Sequence, residues 1–378
     1  MNSVETNIAS VSSPVKCNII HLVSNKVWGG GEQYVYDLCK YFSEQGCNVA
    51  VYARPIKALL DRFSQLDIAL HTLPLKGSFD VKSARALAKQ LRGNGSTVVH
   101  VHNFKDAFTA VYAKMLSGNK EVKVVVTRHL VKKGKGSLMY RWLFGRIDHV
   151  IFVSALARER FMQGKIALAP EKCSVVLNSI VLPAVMEPRD IRKEVQLPAG
   201  CVLAMYHGRI AKEKGLDTLV DAMAAVSGNV AVVLIGTGDK VYEAELVAKV
   251  ERLGLAGRVV FAGFRHPVLP YLGCCDFGVL PSIVEESSSL TCMEYLSQGR
   301  AVIATDNGGQ REYLSNGVNA LLVPPGDVSR LADAITRLSA DAAMRVAMGM
   351  KAKECFPSSL NYDVFVNQVA TVYNNLFE

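Results

Sequence analysis

The chain has 378 residues, of which half are hydrophobic and a fifth are charged, so its length and composition suit two ordinary domains with buried cores. Residues 1–180 carry 25 Lys and Arg against 12 Asp and Glu, whereas residues 181–378 carry 18 against 22, so the net charge of +9 arises in the first half. Nine cysteines without a Cys-x-x-Cys pair indicate reduced thiols rather than a disulfide scaffold, and no apolar run approaches the roughly 20 residues that span a bilayer.

The first half alternates short apolar runs with helical patterns. Residues 1–15 are polar and lack a signal-peptide core, which predicts a disordered leader. Next, Cys17–Ser24 predicts a strand, Trp28–Gly31 a glycine-rich turn, and the pattern from Glu32 a helix. Residues 16–182 are therefore expected to form a Rossmann-like domain around a parallel sheet. Its further strands are predicted at Val49–Tyr52, Val98–Val101, Val122–Thr127 and His149–Val153.

The second half repeats this plan after a Pro-rich polar stretch, Leu182–Pro198, which is the best candidate for a linker. A strand at Val202–His207 and a helix at Leu216–Val226 follow. The fold class is therefore α/β, with a second doubly wound domain over residues 183–358 and a C-terminal helix within residues 359–378. Further strands are predicted at Val230–Gly236, Val259–Ala262, Phe277–Leu280, Ala301–Thr305 and Ala320–Val323.

The segment Pro281–Arg311 carries the most informative motif. It contains Glu286 and Glu294 with seven residues between them, and a helix is predicted to begin near Ser289. The start of a helix offers unpaired N–H groups and the positive end of its dipole, which suit a phosphate. Carboxylates on either side can bind neutral hydroxyls, so the segment suits a phosphate flanked by two polyols, as in a nucleotide sugar.

This segment resembles the Glu-x(7)-Glu motif of the family 4 retaining glycosyltransferases, which have the GT-B fold. The resemblance implies two Rossmann-like domains facing a central cleft, with the last helix crossing back to the first domain. It also implies that Glu294 binds the ribose hydroxyls and that Glu286 contacts the transferred sugar. Relatives have Gly and an aromatic residue after the first Glu, so the identity of the sugar is left open. The donor-binding turn of this chain is Ser287, Ser288, Ser289 and Leu290.

The family binds the donor's diphosphate with two cations, and Arg209 and Lys214 match these positions. Arg209 follows a strand end and Gly208, while Lys214 precedes a glycine at a helix start. An Arg offers a forked, permanent charge and a Lys a mobile point charge. Alternatively, Arg209 and Lys214 are ordinary surface cations, and Phe264 has a structural role at a strand end. The resemblance adds four donor-binding positions, Gly236, Gly238, Phe264 and Arg265.

In the first domain the resemblance covers a Gly-Gly-x-Glu loop and two strand ends. Gly29 and Gly30 would let the backbone approach the donor diphosphate. His129 matches the residue that contacts the donor sugar. His129, and likewise His102 at the end of the strand Val98–Val101, could instead be a structural hydrogen-bonding group. The acceptor is predicted to meet Glu32, His102 and Asn103, and the predicted catalytic residues are Arg209, Lys214, Glu286 and His129.

The chemistry implied by the resemblance needs neither cofactor nor metal. No Asp-x-Asp occurs in the chain, so no metal ligands are predicted, and fixed positive charge would replace a cation. No pair of carboxylates suits hydrolysis of a glycoside. The resemblance implies retaining transfer without an enzyme nucleophile, with the acceptor hydroxyl entering on the face that the diphosphate leaves. Two alternatives remain open: a sugar-nucleotide epimerase of the same fold, and a nucleotide-sugar-binding protein without turnover.

The basic segment Lys123–Arg146 bears on the acceptor. It contains seven Lys and Arg, no acid, and the bulky apolar run Leu138–Phe144. Such a stretch can lie on an anionic membrane, or its apolar part can pack into the core beneath a basic loop. Either way an anionic acceptor is expected, such as a lipid-linked glycan, lipopolysaccharide or capsule, and nucleic acid is not. The sequence thus predicts a cytoplasmic enzyme, either free or peripheral at the inner face of the membrane, that uses a hexose or N-acetylhexosamine donor, with UDP favoured; its oligomeric state stays open.

Overall fold

The computed structural model describes residues 15–166 and 168–378, with the backbone alone for residues 357–359. These residues form two compact units: unit 1 contains the chain up to Asn178 together with Tyr362–Glu378, and unit 2 contains Ser179–Asn361. Each unit is built on one parallel sheet, which confirms the predicted α/β class. The leader predicted for residues 1–15 lies outside the described residues, except for residue 15.

Unit 1 contains a seven-stranded parallel sheet in the order β3-β2-β1-β4-β5-β6-β7. Its strands are β1 Asn18–Val23, β2 Val49–Ala53, β3 Ala69–Thr72, β4 Thr97–Val101, β5 Val122–Arg128, β6 His149–Phe152 and β7 Cys173–Val175. Its helices are α1 Gly30–Glu44, α2 Lys57–Phe63, α3 Val81–Leu91, α4 Phe104–Ser117, α5 Leu138–Phe144 and α6 Ala155–Met162. Successive residues of β1 enter different cores because their side chains point to opposite faces of the sheet: Ile19 lies in one core and Ile20 in the other.

Unit 2 contains a six-stranded parallel sheet in the order β10-β9-β8-β11-β12-β13, also with a core on each face. Its strands are β8 Val202–His207, β9 Val230–Ile235, β10 Val259–Gly263, β11 Phe277–Leu280, β12 Ala301–Thr305 and β13 Ala320–Val323. Its helices are α7 Ile191–Glu194, α8 Leu216–Ala225, α9 Lys240–Arg252, α10 Leu269–Leu272, α11 Leu290–Ser297, α12 Val328–Ala340 and α13 Ala342–Ser359.

The last helix, α14 Tyr362–Asn375, belongs to unit 1 although unit 2 precedes it in the chain. Phe365, Val369 and Tyr373 are buried in the same core as residues of α1. The Tyr362 hydroxyl donates to the Asp37 carbonyl at 2.7 Å. The predicted return of the C-terminal helix to the first domain is therefore observed.

The observed unit boundaries differ from the sequence-based ones by a few residues. The change falls after residue 178 instead of 182, and after residue 361 instead of 358. The stretch Leu182–Pro198 is not a free linker. Ile191 is buried in unit 2, and Arg192 pairs with Asp276 at 2.7 Å. Met186, Val195 and Leu197 pack against the same core, and Arg192 also donates to the Cys274 carbonyl, so several contacts hold this polar, Pro-rich stretch on unit 2.

The basic segment Lys123–Arg146 divides between strand, loop and core. Leu143 and Phe144 of α5 are buried, and Tyr140 and Trp142 pack against the same core. The run is thus mainly core, except for Leu138, whose exposed fraction is 82%. Among the described helices, none combines the length and apolarity needed to cross a membrane.

Candidate active site

The predicted donor residues of unit 2 lie near the carboxyl ends of its strands. The strand order reverses between β8 and β11, and ligands of open α/β sheets bind beside such a point. β8 ends at His207 and β11 at Leu280. The loops that follow carry Arg209 and Lys214 after the first strand and Glu286 after the second.

Lys214 and Glu286, 72 positions apart, are in direct contact. Lys214 Nζ lies 2.6 Å from Glu286 Oε1, and Ser282 Oγ donates to the same oxygen at 2.5 Å. The exposed fractions of the two charged side chains are 25% and 20%. Gly215 explains the approach: its φ is +68°, and a Cβ there would lie 2.0 Å from the Pro281 carbonyl oxygen. A glycine after Lys214 therefore lets the two loops meet.

Arg209 lies on the same loop as Lys214 but is much more exposed. Its side chain is 62% exposed and pairs with Glu213 at 2.5 Å. The Tyr206 hydroxyl donates to the Arg209 carbonyl at 2.7 Å, which fixes the backbone and leaves the guanidinium outside. An exposed pair of this kind contributes about 0–1 kcal/mol, so the guanidinium can turn toward an incoming anion at little cost.

The predicted donor-binding glycines are required by contacts between loops. Gly208 and Gly236 both have φ of +144°, which favours glycine. A Cβ on Gly236 would lie 1.9 Å from the Gly208 carbonyl oxygen, and one on Gly238 1.8 Å from that of Ile210. These glycines pack the loops after β8 and β9 against each other; contact with a donor stays a prediction.

Glu294 is held by His207, the last residue of β8. His207 Nε2 lies 2.5 Å from Glu294 Oε2, and His207 Nδ1 lies 3.0 Å from the Tyr295 hydroxyl. The Tyr295 hydroxyl lies 2.7 Å from the Met205 carbonyl. The side chain of Glu294 is 22% exposed, so a hydroxyl can still reach it.

The turn before α11 contains a serine that caps the helix, at the position where the sequence predicts the helix to begin. Ser289 Oγ accepts from the Cys292 N–H at 3.3 Å. The Tyr313 hydroxyl accepts from the Ser289 N–H at 3.1 Å and donates to the Ser289 carbonyl at 3.0 Å. Leu290 begins the helix, and the buried Ser288 hydroxyl also lies beside the Tyr313 hydroxyl. Contact of this serine turn with a donor stays a prediction.

Phe264 and Arg265 follow β10, two strands away from β8 in the sheet. Phe264 is 60% exposed, which argues against the alternative that it is a core residue. Arg265 Nε lies 3.1 Å from Glu194 Oε2, and its Nη1 donates to the Phe264 carbonyl at 3.1 Å. Arg265 thereby fixes the strand end on which an exposed aromatic ring stands.

In unit 1 the glycine-rich loop leads directly into α1, which begins at Gly30, two residues before the predicted start. Gly29 is the N-terminal cap residue in an extended conformation. Glu32 is buried within the first turn and accepts a hydrogen bond from the Asn25 amide. Burial raises the pKa of Glu32. The position of this carboxyl at the helix start favours its charged form, which partly opposes burial.

His102 and His129 belong to a cluster of four histidines at the carboxyl ends of β1, β4 and β5. His102 Nδ1 lies 3.4 Å from His129 Nε2, and His102 Nε2 lies 3.1 Å from His21 Nδ1. His100 lies 2.7 Å from the Thr127 hydroxyl and 2.6 Å from that of Tyr373. Burial lowers the pKa of His21 to about 3 and, together with Arg128, that of His129 to about 4. It also holds the pKa values of the other two well below their usual range.

Three of these histidines bring ring nitrogens close enough together to be considered as ligands of one metal ion. His21, His100 and His102 each bring a ring nitrogen within 4.8 Å of the others. Both nitrogens of His100 already lie at hydrogen-bond distance from hydroxyls, and His21 Nδ1 faces His102 Nε2, whereas the buried His21 Nε2 has no hydrogen-bond partner among the described residues. The cluster is thus better described as a hydrogen-bonded network than as a set of ligands.

Asn103 serves the fold of unit 1. Its Oδ1 accepts from the Asp106 N–H at 2.9 Å, which caps α4, and its Nδ2 donates to Ser24 and to the Asp106 carboxylate. Burial raises the pKa of Asp106 to about 6. These bonds engage the amide group in the cap, so a role at the acceptor stays a prediction without support from the geometry.

The residues missed from sequence were mostly inside strands. His21 lies within β1, and His100 lies within β4, two positions before His102, which directly follows that strand, so extended backbone places both on the same side. That His-Val-His spacing could have identified His100. His207 is the last residue of β8, immediately before Gly208, and its position at a strand end was the available signal. Nothing local indicated Tyr295 or Ser282.

The chain matches sequence profiles of two families, one in each half. Residues 28–182 match Glycosyltransferase Family 4, and residues 202–341 match Glycosyl transferases group 1. Together these matches extend over most of the two units described above.

Relatives and solved structures agree with these matches. The chain is 31% identical over 163 residues to the lipopolysaccharide core biosynthesis glycosyltransferase LpsE of Rhizobium meliloti, covering 43% of this chain and 47% of that protein. The chain thus matches about half the length of LpsE. It is 23% identical over 359 residues to the N-acetyl-alpha-D-glucosaminyl L-malate synthase of Bacillus anthracis, covering 91% of this chain and 93% of that enzyme.

Among solved structures, HepE of Anabaena in complex with UDP and glucose superposes with a TM-score of 0.80 at 20% identity, covering 95% of this chain and 100% of that one. At that identity the likeness concerns the fold. Both sheets, the two family matches and this superposition point to the same conclusion. The chain belongs to the family 4 glycosyltransferases, or glycosyl transferases group 1, and has the GT-B fold.

Proposed function

We propose that the protein transfers a hexose or N-acetylhexosamine from a nucleotide-diphosphate sugar, with UDP favoured, to a hydroxyl of a cell-envelope glycan. The observation that carries this proposal is the Lys214–Glu286 contact of 2.6 Å beside the point where the strand order of unit 2 reverses. A cation for phosphate and a carboxylate for sugar hydroxyls thereby lie together, next to the loop that carries Arg209.

The donor would bind along the carboxyl ends of β8 and β11. Arg209 and Lys214 bind the diphosphate, Glu294 the ribose and Glu286 the transferred sugar. On donor binding Lys214 exchanges part of its contact with Glu286 for phosphate, which leaves the carboxylate to accept from the sugar. The base would lie toward Phe264, whose exposed ring offers a stacking surface.

Two comparisons support this choice of substrates. HepE was solved with UDP and glucose, which favours UDP as the nucleotide. LpsE is named for lipopolysaccharide core biosynthesis, which favours a lipopolysaccharide or related envelope glycan as the acceptor. The transferred sugar within the hexose class is then set by the turn Ser287–Ser289, which differs from the Gly-aromatic turn that the family resemblance leads one to expect.

Transfer would proceed with retention and without a metal ion. The acceptor oxygen forms its bond to the anomeric carbon on the face from which the diphosphate leaves, as the bond between that carbon and the phosphate oxygen breaks. The acceptor proton passes to the departing phosphate oxygen. Arg209 and Lys214 stabilise the charge that develops on the diphosphate, the function that a cation performs elsewhere. His129, kept neutral by its lowered pKa, contacts the sugar as a hydrogen-bonding group.

Unit 1 would meet the anionic acceptor at the loop between β5 and α5. This loop carries three exposed lysines next to Leu138, whose side chain is also exposed. A cluster of this kind is attracted to an anionic membrane surface by about 1 kcal/mol per cation. We therefore place the enzyme at the cytoplasmic face of the membrane. The lysines are Lys132, Lys133 and Lys135.

Incubation with UDP-glucose, UDP-galactose and UDP-N-acetylglucosamine, each with a lipopolysaccharide core acceptor, tests the proposal. Release of UDP and a mass increase of one sugar in the acceptor are expected with one donor, and NMR of the product should show the anomeric configuration of that donor. The rate should survive an excess of EDTA. Absence of both UDP release and product with every donor, from a folded protein, would contradict the assignment of substrates.

A further inference from the structure

The carboxylate of Glu294 is held by a chain of three groups that starts on β8. The Tyr295 ring lies on Gly278 of β11, where a Cβ would come within 2.5 Å of a ring carbon. The Tyr295 hydroxyl contacts the Met205 carbonyl of β8 at 2.7 Å. His207 bridges this hydroxyl, at 3.0 Å, to Glu294 Oε2, at 2.5 Å. The chain ties a side chain of α11 to two strands.

The position of each proton in this chain follows from its donors and acceptors. A carbonyl can only accept, so the single proton of the Tyr295 hydroxyl points at Met205. The hydroxyl oxygen then accepts from His207, which puts a proton on Nδ1. Burial raises the pKa of Tyr295 far above its usual range, so this hydroxyl keeps its proton. The arrangement fixes the imidazole in one orientation.

A second proton is required on the other side of the imidazole ring. With Nδ1 protonated, a bare Nε2 would point its lone pair at Glu294 Oε2 from 2.5 Å, which is repulsive. A proton must therefore lie between the two atoms, either on the imidazole or on the carboxyl. Charge-assisted bonds of this kind are the short and strong ones. Of the described residues, none hydrogen-bonds to the second oxygen of Glu294, Oε1.

We propose that His207 is a positioning residue: it holds Glu294 Oε2 through a shared proton and so aims Oε1 at the ribose hydroxyls of the nucleotide. This inference rests on the assignment of Glu294 to the ribose in the proposed function. His207 itself touches no substrate. It increases the preference for ribose over sugars that lack those hydroxyls, because a carboxylate held in one orientation binds the hydroxyls more tightly than a mobile one.

The binding test compares UDP with 2′,3′-dideoxy-UDP by calorimetry, in the wild type and in His207→Leu and His207→Gln. Hydrogen bonds to a charged group predict that the wild type binds UDP about 10- to 100-fold more tightly. His207→Leu should reduce this ratio to about 3-fold or less while binding of the dideoxy nucleotide is unchanged. His207→Gln, whose amide can still donate to Glu294, should restore most of the ratio. Thermal unfolding checks that both variants are folded.

A structural role alone would weaken both nucleotides equally in His207→Leu, and either that result or an unchanged ratio would overturn the proposal. The second measurement needs no ligand: ¹⁵N spectra of the histidine-labelled protein, with His207→Gln identifying the signal. A protonated Nδ1 and a strongly shifted proton at Nε2 are expected. If the wild type does not bind UDP, the proposed substrate fails and the spectra decide the positioning role; an unprotonated Nδ1 on His207 would refute it.

Discussion

Replacing Lys214 with alanine separates the transfer reaction from the stability of unit 2. The lysine pairs with Glu286 at 2.6 Å where both side chains are mostly shielded from water. Such a pair contributes about 1 kcal/mol to folding. Loss of one preorganised charge at a developing anion costs about 10²–10³ in turnover, or roughly 3–4 kcal/mol. Expressed as free energy, the loss in turnover should therefore be about three times the loss in the free energy of unfolding.

The chain provides a matched control within the same turn. Lys212 is 71% exposed and pairs with Glu245 at 3.3 Å, away from Glu286. Lys212→Ala removes the same charge from the same loop and should leave turnover within about twofold. Arg209→Ala should resemble Lys214→Ala in turnover and Lys212→Ala in stability, because its ion pair is exposed.

The assay is release of UDP in the presence of acceptor, with denaturant unfolding of each variant measured in parallel. If Lys214→Ala keeps more than about a tenth of the wild-type turnover, corresponding to less than 1.4 kcal/mol, the diphosphate assignment is refuted. An equal loss in Lys212→Ala would show that general charge, not the position beside Glu286, is what matters.

The remaining predictions concern single features of the two units. Glu294→Ala should weaken UDP by about 1–3 kcal/mol, whereas Glu286→Ala should mainly weaken the intact sugar donor; calorimetry with UDP and UDP-glucose contradicts this division if both variants lose both ligands equally. Gly238→Ala should destabilise unit 2 or abolish its folding, because its Cβ would overlap a carbonyl, whereas Gly257→Ala, with open space around it, should cost only the strain of its positive φ; equal melting temperatures would contradict the loop contact. Burial lowers the pKa of His21 to about 3, so as the pH falls below about 6.5 this histidine takes up a proton in the unfolded chain but not in the folded protein. Each buried histidine of this kind should lower the free energy of unfolding by about 2 kcal/mol at pH 5. Equal denaturant midpoints at pH 7 and pH 5 would contradict this. The wild type should co-sediment with anionic vesicles and be released by salt. A variant with Lys132, Lys133 and Lys135 changed to glutamine should sediment less with the vesicles and keep its binding of UDP. Equal sedimentation of the two proteins would contradict a membrane contact of this loop.

Much of the fold was accessible from sequence because local patterns determine it. Short apolar runs of β-branched residues, such as Val122–Thr127, became buried parallel strands, and the Pro/Ser loop after Leu280 led to a helix capped by Ser289. The family resemblance is confirmed by the two profile matches. The stretch Leu182–Pro198 has the polarity and proline content of a linker, yet Ile191 is buried in unit 2, and Met186, Val195 and Leu197 pack against the same core.

The site was less accessible because its contacts join residues far apart in the chain. The resemblance assigned Lys214 and Glu286 to one donor, but only the structure brings their atoms within 2.6 Å of each other. His207 and Tyr295 form a pair 88 positions apart, and no local pattern encodes such a distance. Conversely, Asn103 matched a strand-end position and proved to be engaged in a helix cap. Sequence position identified the edge of the sheet but not which polar atoms there are already paired.

Thermal unfolding with nucleotides decides whether unit 2 binds the nucleotide diphosphate of a sugar donor through Lys214 and Glu294. UDP, GDP, dTDP and ADP would be added in turn to the wild type and to Lys214→Ala and Glu294→Ala. At about 100 times its dissociation constant a bound nucleotide adds about 2.7 kcal/mol, which for units of this size raises the melting temperature by about 5–10 °C. We expect such a rise for at least one diphosphate, with the largest rise for UDP, and a much smaller rise in both variants. No rise with any diphosphate, or an undiminished rise in the variants, would contradict this expectation.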